Sequence, residues 1–145
     1  MLLSHKILIT IIGSLAAAVL ALISMIIERT VIDFSARSGF GFGFASVVYI
    51  IIPVYFFILA FVLSLIALHV NSLSVTLAVS FFFSLLVSWK TFKSAFEIYN
   101  RPDYFDKTYF YSDIFQICSA IIIFPLVGIL IYFLKIRFTS AAPIQ

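Results

Sequence analysis

The chain has 145 residues, of which 64% are hydrophobic and 10% are charged, and its mean hydropathy is +1.24. A soluble domain carries about 25% charged residues, and a domain this small has too little interior to bury so much apolar surface. The formal net charge of +3 comes without a long run of Lys or Arg. We therefore expect an integral membrane protein that contacts lipid and binds no nucleic acid.

Four uncharged apolar blocks follow one another along the chain, at residues 7–27, 45–68, 73–89 and 114–134. A helix of 21 residues is about 31 Å long, close to the thickness of the hydrocarbon core of a bilayer. The blocks must be helical, because lipid offers no hydrogen-bond partners to the backbone. The predicted fold class is an all-α integral membrane protein: a single domain of four transmembrane helices in a compact bundle, with an interfacial amphipathic helix after the third.

The first block carries small residues at four-residue spacing, namely Gly13, Ala17 and Ala21. Small residues on one face let two helices approach closely in a membrane. We expect this face to pack against the second or third helix. Docking to another protein is the alternative.

The segment between the first two blocks contains RSGFGFGF at residues 37–44. It fails as a dinucleotide-binding GxGxxG motif, because Phe44 stands where the third glycine belongs. Gly39 and Gly43 could begin a closely packed helix, but each glycine costs a helix about 1 kcal/mol. We interpret the segment as a flexible loop whose phenylalanines reach the membrane interface before the second helix.

The third block carries a ladder of small polar residues at four-residue spacing: Thr76, Ser80, Ser84 and Ser88, preceded by Ser72. Residues four apart on a helix drift by about 40° per step, so the ladder can follow a crossing helix. We expect close helix packing, with the hydroxyls bonded to their own backbone. The alternative is a polar track for a lipid headgroup or a partner helix.

The segment 90–113 alternates aromatic and charged residues and forms the most distinctive predicted surface. Aromatic residues from Trp89 to Tyr99 recur at helical spacing, which predicts that the third helix extends, or bends, into an amphipathic helix as far as Asn100, before Pro102 ends it. Asp113 and Gln116 have the spacing of a capping box for the fourth helix. Aromatic residues and Arg are common anchors of protein interfaces. The candidate partner-binding residues are Trp89, Phe92, Phe96, Tyr99, Arg101, Tyr104, Phe105 and Tyr109.

The distribution of basic residues gives conflicting indications of topology. Four spans place both termini on one side and the long loops, 28–44 and 90–113, on the other. The loop side has six Lys and Arg residues against three on the terminal side, which favours cytoplasmic loops. Lys6 beside the first helix, and Lys135 and Arg137 after the fourth, favour the reverse. We expect a bacterial inner membrane protein with both termini in the cytoplasm.

The sequence offers little chemistry for catalysis or ion coupling. The four blocks contain no Asp, Glu, Lys, Arg or His, the residues that usually mark proton relays and ion sites in membranes. The loop acids do not match the spacing of a calcium loop. Only two histidines, His5 and His69, could ligate a haem. We therefore expect no metal, no cofactor and no enzymatic activity.

These observations favour a protein that works by binding. The leading hypothesis is a non-catalytic membrane protein that binds another membrane protein, as an accessory subunit or as an immunity or exclusion factor, or that forms a homo-oligomer. One alternative is a small translocator of a lipid or lipid-linked substrate. The other is an interfacial lipid-modifying enzyme that uses acids of the long loops.

Overall fold

The computed structural model describes residues 2–32, 42–100 and 107–140. They form four helices and no strand: α1 (Leu3–Ile32), α2 (Phe42–His69), α3 (Leu73–Tyr99) and α4 (Lys107–Ser140). Each helix is long and apolar enough to cross a membrane. The predicted all-α bundle of four membrane-spanning helices is confirmed.

The helices extend beyond the apolar blocks that predicted them. α2 begins at Phe42, so Gly43 and Phe44 are helical rather than part of a loop, while residues 39–41 lie outside the described residues. α4 begins at Lys107, which places Asp113 inside the helix. The predicted capping box of Asp113 and Gln116 is therefore wrong. An apolar block marks only the part of a helix that crosses the hydrocarbon core, and the backbone can stay helical in the headgroup region beyond it.

Adjacent helices run antiparallel. His5, near the start of α1, stacks on Phe138, near the finish of α4, with ring centroids 4.9 Å apart. Ser24, near the finish of α1, donates a hydrogen bond of 2.5 Å to Ser119 in the first half of α4. The bundle thus has a terminal end, where α1 and α3 begin, and a loop end, where α1 and α3 finish.

The helices do not pack equally against one another. α3 packs mainly on α4, and α1 packs on both α2 and α4. α2 and α3 contact each other sparsely, although only residues 70–72 join them. α2 and α3 are therefore neighbours at the turn, and they separate towards the loop end.

Large apolar side chains fill the centre of the bundle. Phe124 is fully buried and lies against Phe56 and Phe83, with ring centroids 5.3 and 6.4 Å away. Leu63 and Ile131 are also fully buried. Because lipid tails are as apolar as these side chains, close packing rather than the hydrophobic effect holds such a core together.

The small-residue face of α1 is buried, since its three residues, Gly13, Ala17 and Ala21, are all buried. A Cβ atom placed on Gly13 would lie 3.0 Å from Ser64 Oγ of α2 and 2.9 Å from Ile131 Cγ1 of α4. The face therefore packs within the protein. It contacts α2, which is one of the two helices that the sequence predicts, and it contacts α4 instead of α3.

Candidate functional site

The serine ladder of α3 is buried. Thr76, Ser80 and Ser84 have no exposed surface. Their hydroxyls donate to the carbonyl oxygens of the residues four positions earlier, over 3.0, 2.8 and 3.1 Å. Ser84 Oγ also lies 3.0 Å from the carbonyl oxygen of Ala120 in α4, so its single hydrogen is shared between the two carbonyl oxygens. These three residues lie in the interface between α3 and α4, so they provide no track open to lipid for a translocator.

Ser88, the last residue of the ladder, differs from the others in its hydrogen bonding. It is only 5% exposed, yet its hydroxyl has no hydrogen-bond partner in the described part of the chain. Ser88 forms part of the wall of a cavity at the loop end. A buried polar group without a partner costs free energy, and it is a common sign of a water or ligand site.

The candidate partner-binding surface is a row of exposed aromatic side chains, the aromatic face, formed by Trp89, Phe92, Phe96 and Tyr99. These side chains are between 56% and 71% exposed. They belong to α3 itself, which continues unbroken to Tyr99 rather than leading into a separate helix. Of the other candidate residues, Arg101, Tyr104 and Phe105 lie outside the described residues, as does the side chain of Tyr109.

The length of α3 determines the depth of the aromatic face. Its 27 residues make a helix about 40 Å long, roughly 10 Å longer than the hydrocarbon core is thick. The excess lies at the loop end, where the charged residues of α3 are found. The aromatic face is therefore expected near headgroup depth.

A polar cluster joins α1 to α4 at the loop end. The side chain of Glu28 accepts hydrogen bonds at Oε1 from Ser112 Oγ and, over 3.3 Å, from Gln116 Nε2. Glu28 is half-buried, and Ser112 is buried. Next to this cluster, Asp113 has a buried Oδ2 atom without a hydrogen-bond partner in the described ranges.

This cluster corrects an expectation from the sequence. The sequence places Glu28 in the loop 28–44, after the first apolar block, but α1 continues to Ile32 and its stretch that is apolar enough to cross a membrane runs from Leu3 to Glu28. Its carboxylate lies between helices and not in an open loop. An ionisable side chain in such a place is a candidate functional residue.

A cavity with a volume of about 60 Å³ adjoins the polar cluster, and we call it the loop-end cavity. All four helices contribute to its wall, and it lies where α2 and α3 have separated. Ser119 Oγ accepts the hydrogen bond from Ser24 and donates to the carbonyl oxygen of Phe115 over 2.8 Å. The lining residues are Ala21, Ser24, Met25, Glu28, Ile52, Phe56, Val87, Ser88, Thr91, Gln116, Ser119 and Ile123.

Sequence reasoning missed this site, because its parts are distant in the chain. Glu28 and Ser112 are 84 residues apart. One signal was present: Ser112, Gln116 and Ser119 recur at helical spacing, which places three polar side chains on one face of an otherwise apolar helix. The described residues contain no group of three or more His, Cys, Asp or Glu side chains that could hold a metal ion.

No protein-family model, curated protein or solved structure matches the chain. Its function is therefore inferred from the physical chemistry of its own residues.

Proposed function

We propose that the protein acts without catalysis, by binding another membrane protein as an accessory subunit or as an immunity or exclusion factor. The observation that carries the proposal is the aromatic face. Four large side chains on one helix are more than half exposed, at a depth where a neighbouring membrane protein also presents polar groups. Trp and Tyr are among the residues that contribute most to binding free energy at interfaces.

The charges beside the aromatic face indicate the chemistry of the partner. Lys90 and Lys93 are exposed on the same stretch of α3 and outnumber its one acidic side chain, Glu97. Complementary charges steer and orient a protein complex, so we propose a partner with acidic side chains at headgroup depth. Aromatic residues at this depth also anchor a protein to lipid, and the experiment must separate the two roles.

The test is extraction at native expression level in a mild detergent, followed by mass spectrometry of the proteins that co-purify and of their stoichiometry. The variant combines Trp89→Ala, Phe92→Ala and Phe96→Ala. The control combines Phe81→Ala and Phe82→Ala, two aromatic residues that are 48% and 58% exposed on the same helix at mid-membrane depth.

A stoichiometric partner that is lost from the variant and retained by the control supports the proposal. A partner retained by both, or a solitary protein in every preparation, contradicts it. If the partner is a second copy of the chain, self-association replaces the accessory role.

We also propose that the protein resides in a bacterial inner membrane with its terminal end in the cytoplasm. Support comes from Lys6, Lys135 and Arg137, the basic residues at that end. The test uses single cysteines at Ser140 and at Lys93 in a Cys118→Ser background, labelled in intact cells with a membrane-impermeant maleimide. Labelling at position 93 alone is the expected result, and labelling at position 140 alone contradicts it.

A further inference from the structure

We propose that the loop-end cavity binds a primary ammonium group carried on an aliphatic stem. Three features of the cavity support this ligand class: most of its polar atoms are free to accept hydrogen bonds, one buried hydroxyl lacks a partner among the described residues, and most of the rest of its wall is apolar. None of these features involves the aromatic face, so the inference is independent of the proposed function.

The polar atoms around the cavity present lone pairs. Glu28 carries a carboxylate, and the hydroxyl hydrogens of Ser24 and Ser119 are already donated, to Ser119 Oγ and to the Phe115 carbonyl. Gln116 donates its amide hydrogens to Glu28 and Ser112, which leaves its amide oxygen as an acceptor. Ser88 and Thr91 add hydroxyls that can accept as well as donate. A ligand that suits this arrangement donates hydrogen bonds, and an ammonium group donates three.

The charge of the site also favours a cation. The described residues that line the cavity include one acidic side chain and no basic one. Asp113, the residue after Ser112 in the chain, adds a second carboxylate whose charge acts on Glu28. Burying a carboxylate without an opposite charge is costly, and a bound ammonium group would supply that charge.

Ser88 provides the independent indication of a ligand. Its hydroxyl is nine-tenths buried or more, forms part of the cavity wall and has no partner among the described residues. Native proteins rarely leave such a group unpaired. An ammonium group in the cavity would bond to this hydroxyl as well as to the carboxylate.

The remaining wall and the size of the cavity suit a short stem rather than a bare metal ion. Ala21, Met25, Ile52, Val87 and Ile123 present apolar atoms that would contact methylene groups. A single water needs about 10 to 15 Å³, so the volume of about 60 Å³ accommodates an ammonium group with its first methylenes.

Two sources could present this group. The cavity lies at the end of the membrane-crossing part of α1, near headgroup depth, where the amine of phosphatidylethanolamine is found. A free alkylamine would present the same chemistry from solution. The test has one arm for each source.

The lipid arm uses the full chain in nanodiscs that contain equal amounts of phosphatidylethanolamine and phosphatidylcholine. Native mass spectrometry then measures the ratio of the two lipids retained. Phosphatidylcholine is the control lipid, because its quaternary ammonium carries the same charge and has no N–H donor. We expect phosphatidylethanolamine to be retained at least about tenfold over phosphatidylcholine, as two or three charge-assisted hydrogen bonds would give.

The free-amine arm titrates butylammonium, by calorimetry, into nanodiscs of phosphatidylcholine alone. Tetramethylammonium is the matched cation without donors. Selectivity in the lipid arm alone identifies a headgroup as the source, and butylammonium binding alone identifies a soluble amine. Equal retention of the two lipids together with equal affinity for butylammonium and tetramethylammonium would overturn the proposal.

The variants link the binding to this cavity. Glu28→Gln removes the charge and should weaken binding at least about tenfold. Glu97→Gln removes one negative charge from an exposed position of α3 at the same end and should leave binding unchanged. Unchanged binding in a folded Glu28→Gln protein would refute the site.

Ser88→Ala keeps the proposal testable if Glu28→Gln fails to fold. The Ser88 hydroxyl has no hydrogen bond to lose among the described residues, so its removal should leave the fold intact. It should nevertheless weaken ammonium binding about threefold, as expected for one hydrogen bond. A Ser88→Ala protein with full affinity would contradict the assigned geometry.

Discussion

Gly128 of α4 lies directly against Ser80 of α3. A Cβ atom at position 128 would overlap Ser80 Oγ and would lie 3.2 Å from Ser80 Cβ. The two residues lie in the interface between α3 and α4, the most extensive helix–helix interface of the bundle, and leave no room for a side chain at position 128. They also explain why the ladder is built from small hydroxyl residues, since a larger side chain at position 80 would push α3 away from α4.

Gly128→Ala should therefore destabilise the protein by about 1 to 3 kcal/mol, as expected when a methyl group is forced into a packed interface. The measurement is the free energy of unfolding in mixed detergent and dodecyl sulfate micelles. Adding Ser80→Ala should restore part of the loss, because it removes the nearest atom and leaves Ser80 Cβ at 3.2 Å and Thr76 Cγ2 at 3.6 Å. Gly13→Ala is the control: the nearest atom to its new methyl group would be Ile131 Cγ1 at 2.9 Å, a milder contact than the overlap at position 128, so its loss should be smaller. Equal losses for the two glycines would contradict this interpretation.

Ser84→Ala should cost more stability than Ser80→Ala. Both residues are fully buried and both donate to their own helix, but the Ser84 hydroxyl also shares its hydrogen with the carbonyl oxygen of Ala120 in α4, 3.0 Å away. Hydrogen bonds between membrane helices contribute about 0.6 kcal/mol on average and up to about 1.7 kcal/mol. The same unfolding assay compares the two variants. If Ser80→Ala proves the more damaging, the bond between the helices contributes little.

Lys135→Met should loosen the turn between α2 and α3. The ammonium group of Lys135 donates to the Val70 carbonyl oxygen over 2.8 Å and to Asn71 Oδ1 over 2.9 Å. A positive charge at the carboxyl end of α2 also interacts favourably with the helix dipole, which is typically worth 0.3 to 1 kcal/mol. We expect faster amide exchange at residues 70–72 in the variant. The control is Arg137→Met, which removes a positive charge about one turn before the last residue of α4. If the Arg137→Met protein shows the same faster exchange at residues 70–72, the loss of net charge alone is responsible.

The architecture could be predicted from the sequence because lipid leaves a long apolar block no alternative to a helix. The serine ladder and the Gly13 face were recognisable for a similar reason: four-residue spacing of small side chains indicates close packing. The helix ends were less predictable. Asp113 resembled a capping residue, but α4 continues past it to Lys107, since a charge can lie within a helix once the helix leaves the hydrocarbon core.

The polar cluster could not be predicted, because it depends on how α1 and α4 are rotated and shifted against each other. In a soluble protein, the apolar stripe of each helix would indicate which face turns inward. Here both faces are apolar, since one contacts lipid and the other contacts protein. Glu28 could thus be assigned to a loop, although its carboxylate lies beside Ser112 and Gln116.

Trp89, the single tryptophan of the chain, allows the depth of the aromatic face to be measured. It lies 16 residues after Leu73, about 24 Å along α3, and therefore near the far boundary of a core about 30 Å thick. Its fluorescence should be quenched more by lipids brominated near the headgroup than by lipids brominated near the chain ends.

The control for this measurement moves the tryptophan with Trp89→Phe and Phe82→Trp. Position 82 is about 14 Å from Leu73 along the helix, near the middle of the bilayer, and its side chain is also exposed. The order of quenching should reverse. If both proteins are quenched most by the deep label, the aromatic face lies in the hydrocarbon. An acidic partner could not then reach it, and the proposed complex would need a different surface.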